Sequence, residues 1–240
     1  IYMIEIKIIR PDDWHVHFRD GLLLKQVVPE TSRHFARAIV MPNLVPPITN
    51  GKLAVSYKNK IKKNIPPKDK FDPLMTIYLT DNTDKNQLKQ SYLEKEIFAA
   101  KLYPSGATTN SESGVTNINK IMPVLETMAE IGMPLLIHGE VTNNEVDIFD
   151  REKIFIETVL EFICNNLPEL KITLEHITTK DAVIYIKNAK QNIAASITPH
   201  HLTFNRNEIF RNGINPHNYC LPILKREEHR EALLNIAISG

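Results

Sequence analysis

The run Asp12-Asp13-Trp14-His15-Val16-His17-Phe18-Arg19-Asp20 sets two imidazoles one residue apart, directly after an isoleucine-rich segment. In an extended strand, side chains at i and i+2 share a side, so His15 and His17 converge. Two convergent imidazoles are half of a catalytic zinc site, and they also describe two surface histidines at a strand end. The chain then offers Lys101, His138 and His176 at the ends of further apolar runs, each about one βα unit after the last. Taken singly, any of these histidines reads as a hydrogen-bonded structural residue. Four histidines and a lysine meeting at one mouth read as a binuclear metal site, in which imidazole suits zinc.

Lys101 is a charged residue inside the apolar run Ala99-Ala100-Lys101-Leu102-Tyr103. A buried ammonium is costly and loses its proton or finds a partner. A snorkelling or salt-bridged lysine meets that demand. So does a neutral amine that reacts with CO2, because the resulting carbamate is an anion with two oxygens. Such a group can bridge two metals roughly 3.5–4 Å apart.

The elements that must carry these residues alternate along the chain. Strands are expected near 6–17, 37–42, 75–80, 98–103, 134–139, 172–176 and 193–199, most of them continuously apolar, as parallel strands buried on both faces are. Helical stripes lie between them. One covers 117–131 and ends at Gly132, a C-cap residue; a second covers 150–165 with Asp150 as N-cap; a third covers 179–188 behind Thr179. Strands alternating with helices, with polar residues at the strand ends, predict an α/β (β/α)8 TIM-type barrel whose site lies at the C-terminal face. A doubly wound sheet fits less well. No glycine-rich phosphate loop follows the first strand, and the chemistry is spread over nearly every strand.

The 240 residues are 42% hydrophobic and 24% charged with net charge +1, a composition that suits one domain over 1–240. That balance makes no electrostatic case for nucleic acid or an anionic membrane, and no apolar run reaches membrane-spanning length. The lysine-rich stretch 52–70 reads as a solvated helix and loop. Cys164 and Cys220 form neither a disulfide framework nor a zinc knuckle, which points to a reducing cytoplasm.

The motifs Arg10-Pro11-Asp12-Asp13-Trp14-His15-Val16-His17-Phe18-Arg19-Asp20-Gly21, Met41-Pro42-Asn43, Lys101-Leu102-Tyr103-Pro104, Ile137-His138-Gly139-Glu140 and Leu174-Glu175-His176-Ile177 stand in order along the chain. With Asn215-Pro216-His217-Asn218-Tyr219-Cys220-Leu221-Pro222, they resemble the shorter bacterial dihydroorotases of the amidohydrolase superfamily over the whole chain. The resemblance implies a barrel, a homodimer and the reversible cyclisation of N-carbamoyl-L-aspartate to L-dihydroorotate in pyrimidine synthesis. It implies two Zn2+ per chain, His15 and His17 on the more buried one, His138 and His176 on the second, and carbamylated Lys101 between them. A bridging hydroxide would attack the ring carbonyl. Arg19 and Asn43 match the positions that hold the substrate carboxylate, Thr108 and Thr109 match a substrate-touching loop, and Leu221 matches a backbone contact to the ring. The loop 105–111, small and polar, suits a mobile lid.

The aspartate that shuttles the proton in that family has no counterpart before Gly240, nor have the eighth strand and the C-terminal helices, so a longer polypeptide is expected. Another cyclic amidase, of hydantoinase or allantoinase type, would share the metal ligands without needing the Arg19 and Asn43 clamp. A non-catalytic barrel homologue is the reading from another class. His200 and His201 fit either a ligand-orienting role or plain hydrogen bonding. His34, His217 and His229 read as structural or exposed.

Overall fold

The computed structural model describes residue 5 and residues 7–239. Seven strands run β1 Asp13–Val16, β2 Arg37–Val40, β3 Asp72–Tyr78, β4 Ala99–Leu102, β5 Leu135–His138, β6 Ile172–Glu175 and β7 Ile193–Ala195. All neighbours pair in parallel, and the sheet order is the chain order. Helices α1 Gly21–Ser32, α2 Gly51–Lys62, α3 Lys85–Leu93, α4 Ile118–Ile131, α5 Arg151–Phe155, α6 Glu161–Asn166 and α7 Lys180–Asn188 connect them. After β7 come the short α8 Pro199–Thr203 and α9 Asn207–Phe210, then α10 Glu227–Ala237.

The sheet is curled as in a TIM-type barrel. In a flat sheet β1 and β6 would stand five spacings apart, about 24 Å. Instead the rings of His15 on β1 and His176 just after β6 have centroids 5.2 Å apart. Curling divides the apolar residues into two layers. The outer layer packs helices on strands and includes Val28, Leu125, Ile137 and Leu174. A smaller inner layer holds Ile39, Met41, Ala99 and Leu136 against Leu74. Two residues further along the same strands, the same inward direction is taken by Asn43, Lys101 and His138. Strand alternation therefore stacks the polar residues directly above the inner apolar layer.

The helices form where apolar spacing and capping agree. Helix α4 buries Ile121, Val124, Leu125 and Met128 on one face, the Asn117 side chain accepts from the Asn119 N–H, and Gly132 closes it at φ 68°. That left-handed turn suits glycine. Thr179 caps α7 by accepting from the Ala182 N–H.

Several expectations need correction. The first strand, expected over 6–17, is confined to Asp13–Val16, with Ile8 and Ile9 75% and 94% exposed; Ile6 lies outside the described residues. Pro11 has no N–H to give a ladder there. The helix expected over 150–165 contains a π-helical turn at Ile156–Leu160, and Asp150 makes no side-chain cap. The strand expected over 193–199 stops at Ala195, because Pro199 opens α8 in the first-turn position that proline favours.

The outer edges of β1 and β7 pair with no other strand among the described residues. Between them lies a cleft of about 1000 Å³ lined by Trp14, Ile39, Leu136, Ala194 and Ile197. No helix among the described residues is long and apolar enough to cross a membrane.

Leu125 is fully buried at the centre of the outer layer. Replacing it with alanine removes its contacts and leaves a cavity, so Leu125→Ala should lower unfolding free energy by roughly 2–5 kcal/mol. Urea denaturation measures this, and a loss under about 1 kcal/mol would show that the α4 face is not part of the core.

Candidate metal centre and substrate cavity

Each polar residue at the mouth is delivered by a strand or by the turn that follows it. His15 and His17 project to the same side, and their Nε2 atoms lie 3.0 Å apart. The His176 ring lies between two others, with centroids 5.2 Å from His15 and 4.9 Å from His138. Beneath them sits Lys101, fully buried, its ammonium paired with the Glu175 carboxylate and 5.0 Å from the centre of the Tyr103 ring. The five residues expected to bind metal are brought together.

Glu175 was not among the expected site residues, yet it occupies the centre. Its Oε2 pairs with Lys101 and its Oε1 lies 3.0 Å from His15 Nδ1. The latter approach is off the hydrogen-bonding direction, so neither atom has a hydrogen-bond partner, and neither has His176 Nδ1. His15, Glu175 and His176 can each offer one ligand atom such that the three lie within 4.8 Å of one another. Buried polar atoms without hydrogen-bond partners, in side chains that can bring three ligand atoms together, suit a cation. A second carboxylate, Glu140, takes His138 Nε2 at 2.8 Å, which leaves His138 Nδ1 for another partner. The signal for both acids was available in the sequence: each is a charged residue at the end of an apolar strand, as Lys101 is.

The electrostatics favour the ligand forms. Burial lowers the affinity of His17 for a proton to a pKa of about 3, helped by the fields of His15, Arg19 and Lys101. Burial likewise lowers His138 and pushes His176 well below the usual imidazole value. Neutral imidazole is the form that binds metal. Burial alone would raise Glu175, but His15 and Lys101 outweigh it and hold the carboxyl at about 2. For Lys101 burial wins, lowering its proton affinity against the pull of Glu175.

Strand alternation would turn His176 outward, since Glu175 beside it points in. His176 instead adopts φ 43°, which swings its ring into the mouth. That conformation costs a non-glycine residue of order 1–3 kcal/mol.

Above the histidines opens a cavity of about 400 Å³. Arg19, Asn43, Thr108, Thr109 and Leu221 all line it, as does His138. Arg19 also has positive φ, 59°, and its carbonyl accepts from the Tyr57 hydroxyl. The loop 105–111 is tied down rather than loose. Asn43 Nδ2 donates to the Thr109 carbonyl, Asn110 Nδ2 donates to the Asn43 carbonyl, and Ser111 bonds to Thr108 through both its hydroxyl and its N–H. Asn43 Oδ1 stays buried and unpartnered.

The two histidines left open by the sequence separate clearly. His201 is buried, and its Nε2 donates to the Pro222 carbonyl at 3.0 Å. Its Nδ1 must then accept from the Thr198 hydroxyl, 2.5 Å away. That chain of bonds anchors the segment carrying Leu221 to the end of β7. His200 lines the cavity beside it. His34 and His217 are exposed, and His229 accepts from the Lys180 N–H at the start of α7.

Residues 4–237 match the Amidohydrolase family. The chain is 58% identical over 238 residues to the dihydroorotase of Rhizobium meliloti, covering 99% of this chain and 69% of that one. It is 55% identical over the same length to the dihydroorotase of Shewanella baltica. Among solved structures, it superposes on Campylobacter jejuni dihydroorotase with TM-score 0.88 and 40% identity, covering 96% of this chain and 66% of that one. An L-hydantoinase from Arthrobacter aurescens gives TM-score 0.76 at 15% identity, a likeness of fold alone. The chain thus spans about two thirds of the length of the dihydroorotases it matches.

Burial lowers His201 to about 3 from its ordinary 6.5, with His200 adding to the effect. Between those values the unfolded chain binds a proton that the folded one refuses. The stability that His201 contributes is therefore complete above pH 6.5 and falls as the pH drops towards 3. His201→Gln should flatten this acid limb by about 1.4 kcal/mol per pH unit. Urea denaturation at stepped pH checks this; parallel limbs in the two proteins would show that His201 titrates normally.

Proposed function

The chain belongs to the dihydroorotases of the amidohydrolase family, and from that premise we propose that its barrel mouth carries the zinc-dependent, reversible cyclisation of N-carbamoyl-L-aspartate to L-dihydroorotate. The observation that carries the proposal is the convergence of His15, His17, His138 and His176 around Lys101 and Glu175, beneath a cavity walled by Arg19 and Asn43. We place this in pyrimidine synthesis in the cytoplasm, in a homodimer to whose single barrel domain residues 1–240 contribute seven strands, acting on a small molecule with neither nucleic acid nor membrane as partner.

In this reading His15 and His17 would hold one zinc, His176 and His138 would hold a second, and carbamylated Lys101 would supply a ligand shared by the two. Bound there, the metals would polarise the ring carbonyl and acidify a water to near-neutral pH. The protein's own groups do the rest. Arg19 grips the substrate carboxylate through its guanidinium fork, with Asn43 at its side. Thr108 and Thr109 close the cavity over the ring, and Leu221 meets it through the backbone. Glu140 and Glu175 are committed to His138 and Lys101. Neither acid is then free to shuttle the proton, a role that the resemblance gives to an aspartate.

Lys101 and Glu175 attract each other as ammonium and carboxylate. Carbamylation turns that attraction into repulsion between two anions, so it requires cations between them. In the full-length protein, 13C-bicarbonate should give a carbamate NMR signal only when zinc is present, and Lys101→Ala should abolish it. A carbamate in metal-free protein would contradict this coupling.

The hydantoinase reading differs in the substrate carboxylate. Removing the guanidinium with Arg19→Met should cut kcat/KM for L-dihydroorotate by about 10–100-fold, the worth of a charged hydrogen-bonded contact. Full-length protein that turns over hydantoin faster than dihydroorotate, with Arg19→Met neutral on both, would overturn the assignment.

A further inference from the structure

The His176 ring reaches the mouth only because its backbone departs from strand geometry, at φ 43°. Something must hold that departure. One anchor lies just past β7: the His176 N–H donates to Ser196 Oγ at 3.0 Å, and the Ile177 N–H donates to the Ser196 carbonyl at 2.9 Å. The other is a single carboxylate from the neighbouring βα unit.

Glu152, in the first turn of α5, is 2% exposed. Its Oε2 accepts from the Thr178 N–H at 2.8 Å and from Thr178 Oγ1 at 3.0 Å. Its Oε1 accepts from the Thr179 N–H at 2.8 Å and from Thr179 Oγ1 at 2.5 Å, with a further 3.0 Å contact to the Thr178 N–H. Both residues follow directly on the His176-Ile177 turn, and Thr179 is also the cap of α7. One buried side chain thus saturates the donors of the segment that leaves the strained residue. A buried acid with this many donors is a rigid clamp, because moving either threonine strands a charge or an N–H away from water.

We propose that Glu152 is a positioning residue of the metal centre: its carboxylate locks residues 178 and 179 so that His176, held at positive φ, presents its imidazole to a divalent cation. The proposal rests on the metal-centre reading above. It adds an acid that touches neither the cavity nor any metal-binding histidine.

The test measures zinc affinity of the full-length protein by competition with a chelator, with zinc content by elemental analysis and the thermal midpoint of the metal-free form. Glu152→Gln turns one acceptor oxygen into a donor facing donors, which should weaken one of the two zincs by about 10–100-fold and leave the other bound. Thr178→Val removes only the hydroxyl bond, keeps both N–H contacts, and should weaken the same zinc by a smaller factor. It carries the test if Glu152→Gln does not fold. Wild-type affinity for both zincs in either folded variant, even with a lowered metal-free midpoint, would reduce Glu152 to a purely structural residue and overturn the proposal. Wild-type protein that binds no zinc would instead remove the metal-centre reading, and this inference with it.

Discussion

An ammonium with no contact to water has to be neutralised where it stands, and that constraint organises the interior of this barrel. Lys101 projects from the middle of β4 into the space enclosed by the curled sheet, one alternation step above Ala99 and the inner apolar layer. Glu175 meets it from β6. Bringing two charges out of water is costly, and breaking such a pair costs more than the pair itself contributes. The two residues meet over the single strand β5 that separates β4 from β6. Burial, with the Lys101 field adding to it, lowers the proton affinity of His17, His138 and His176, which favours the neutral rings that a metal would need.

The mouth depends on a departure from the rule that builds everything below it. Alternation along the strands sends Asn43, Lys101, His138 and Glu175 inward without strain. His176 follows an inward residue and can face the same way only through a left-handed backbone. Arg19 makes a similar turn after His17 and is pinned through its carbonyl by Tyr57 of α2. In both places the strained residue is the one whose side chain lines the cavity, while a neighbour from another unit supplies the restraint. Strain of this kind persists only where surrounding bonds over-determine it.

The walls of the cavity are built on the same principle of borrowed rigidity. Neither the 105–111 loop nor the 219–222 segment belongs to a strand. The first is fastened by reciprocal amide bonds between Asn43 and residues 109 and 110. The second hangs from His201, whose two nitrogens join the Pro222 carbonyl to the Thr198 hydroxyl. An active site on loops gains precision when each loop is tied to the scaffold beneath it.

By itself the sequence determined the parallel α/β architecture, the capped ends of α4 and α7, and the four histidines and lysine that converge at the mouth. Those features follow from period and spacing, which are local properties of a chain. Glu175 and Glu140 were legible in part, as charges at the ends of apolar strands, but nothing local says which partner a buried acid will find. Only tertiary structure decided that Glu175 meets Lys101 over the intervening strand β5, since the two stand 74 positions apart in the chain. It alone decided that the 105–111 loop is fastened rather than free, and that His201 is an anchor. It alone decided that His176 breaks alternation, because a left-handed residue that is not glycine leaves no mark in composition. Its cause is the set of bonds that Ser196 and Glu152 make around it, and those exist only once distant strands have been brought side by side.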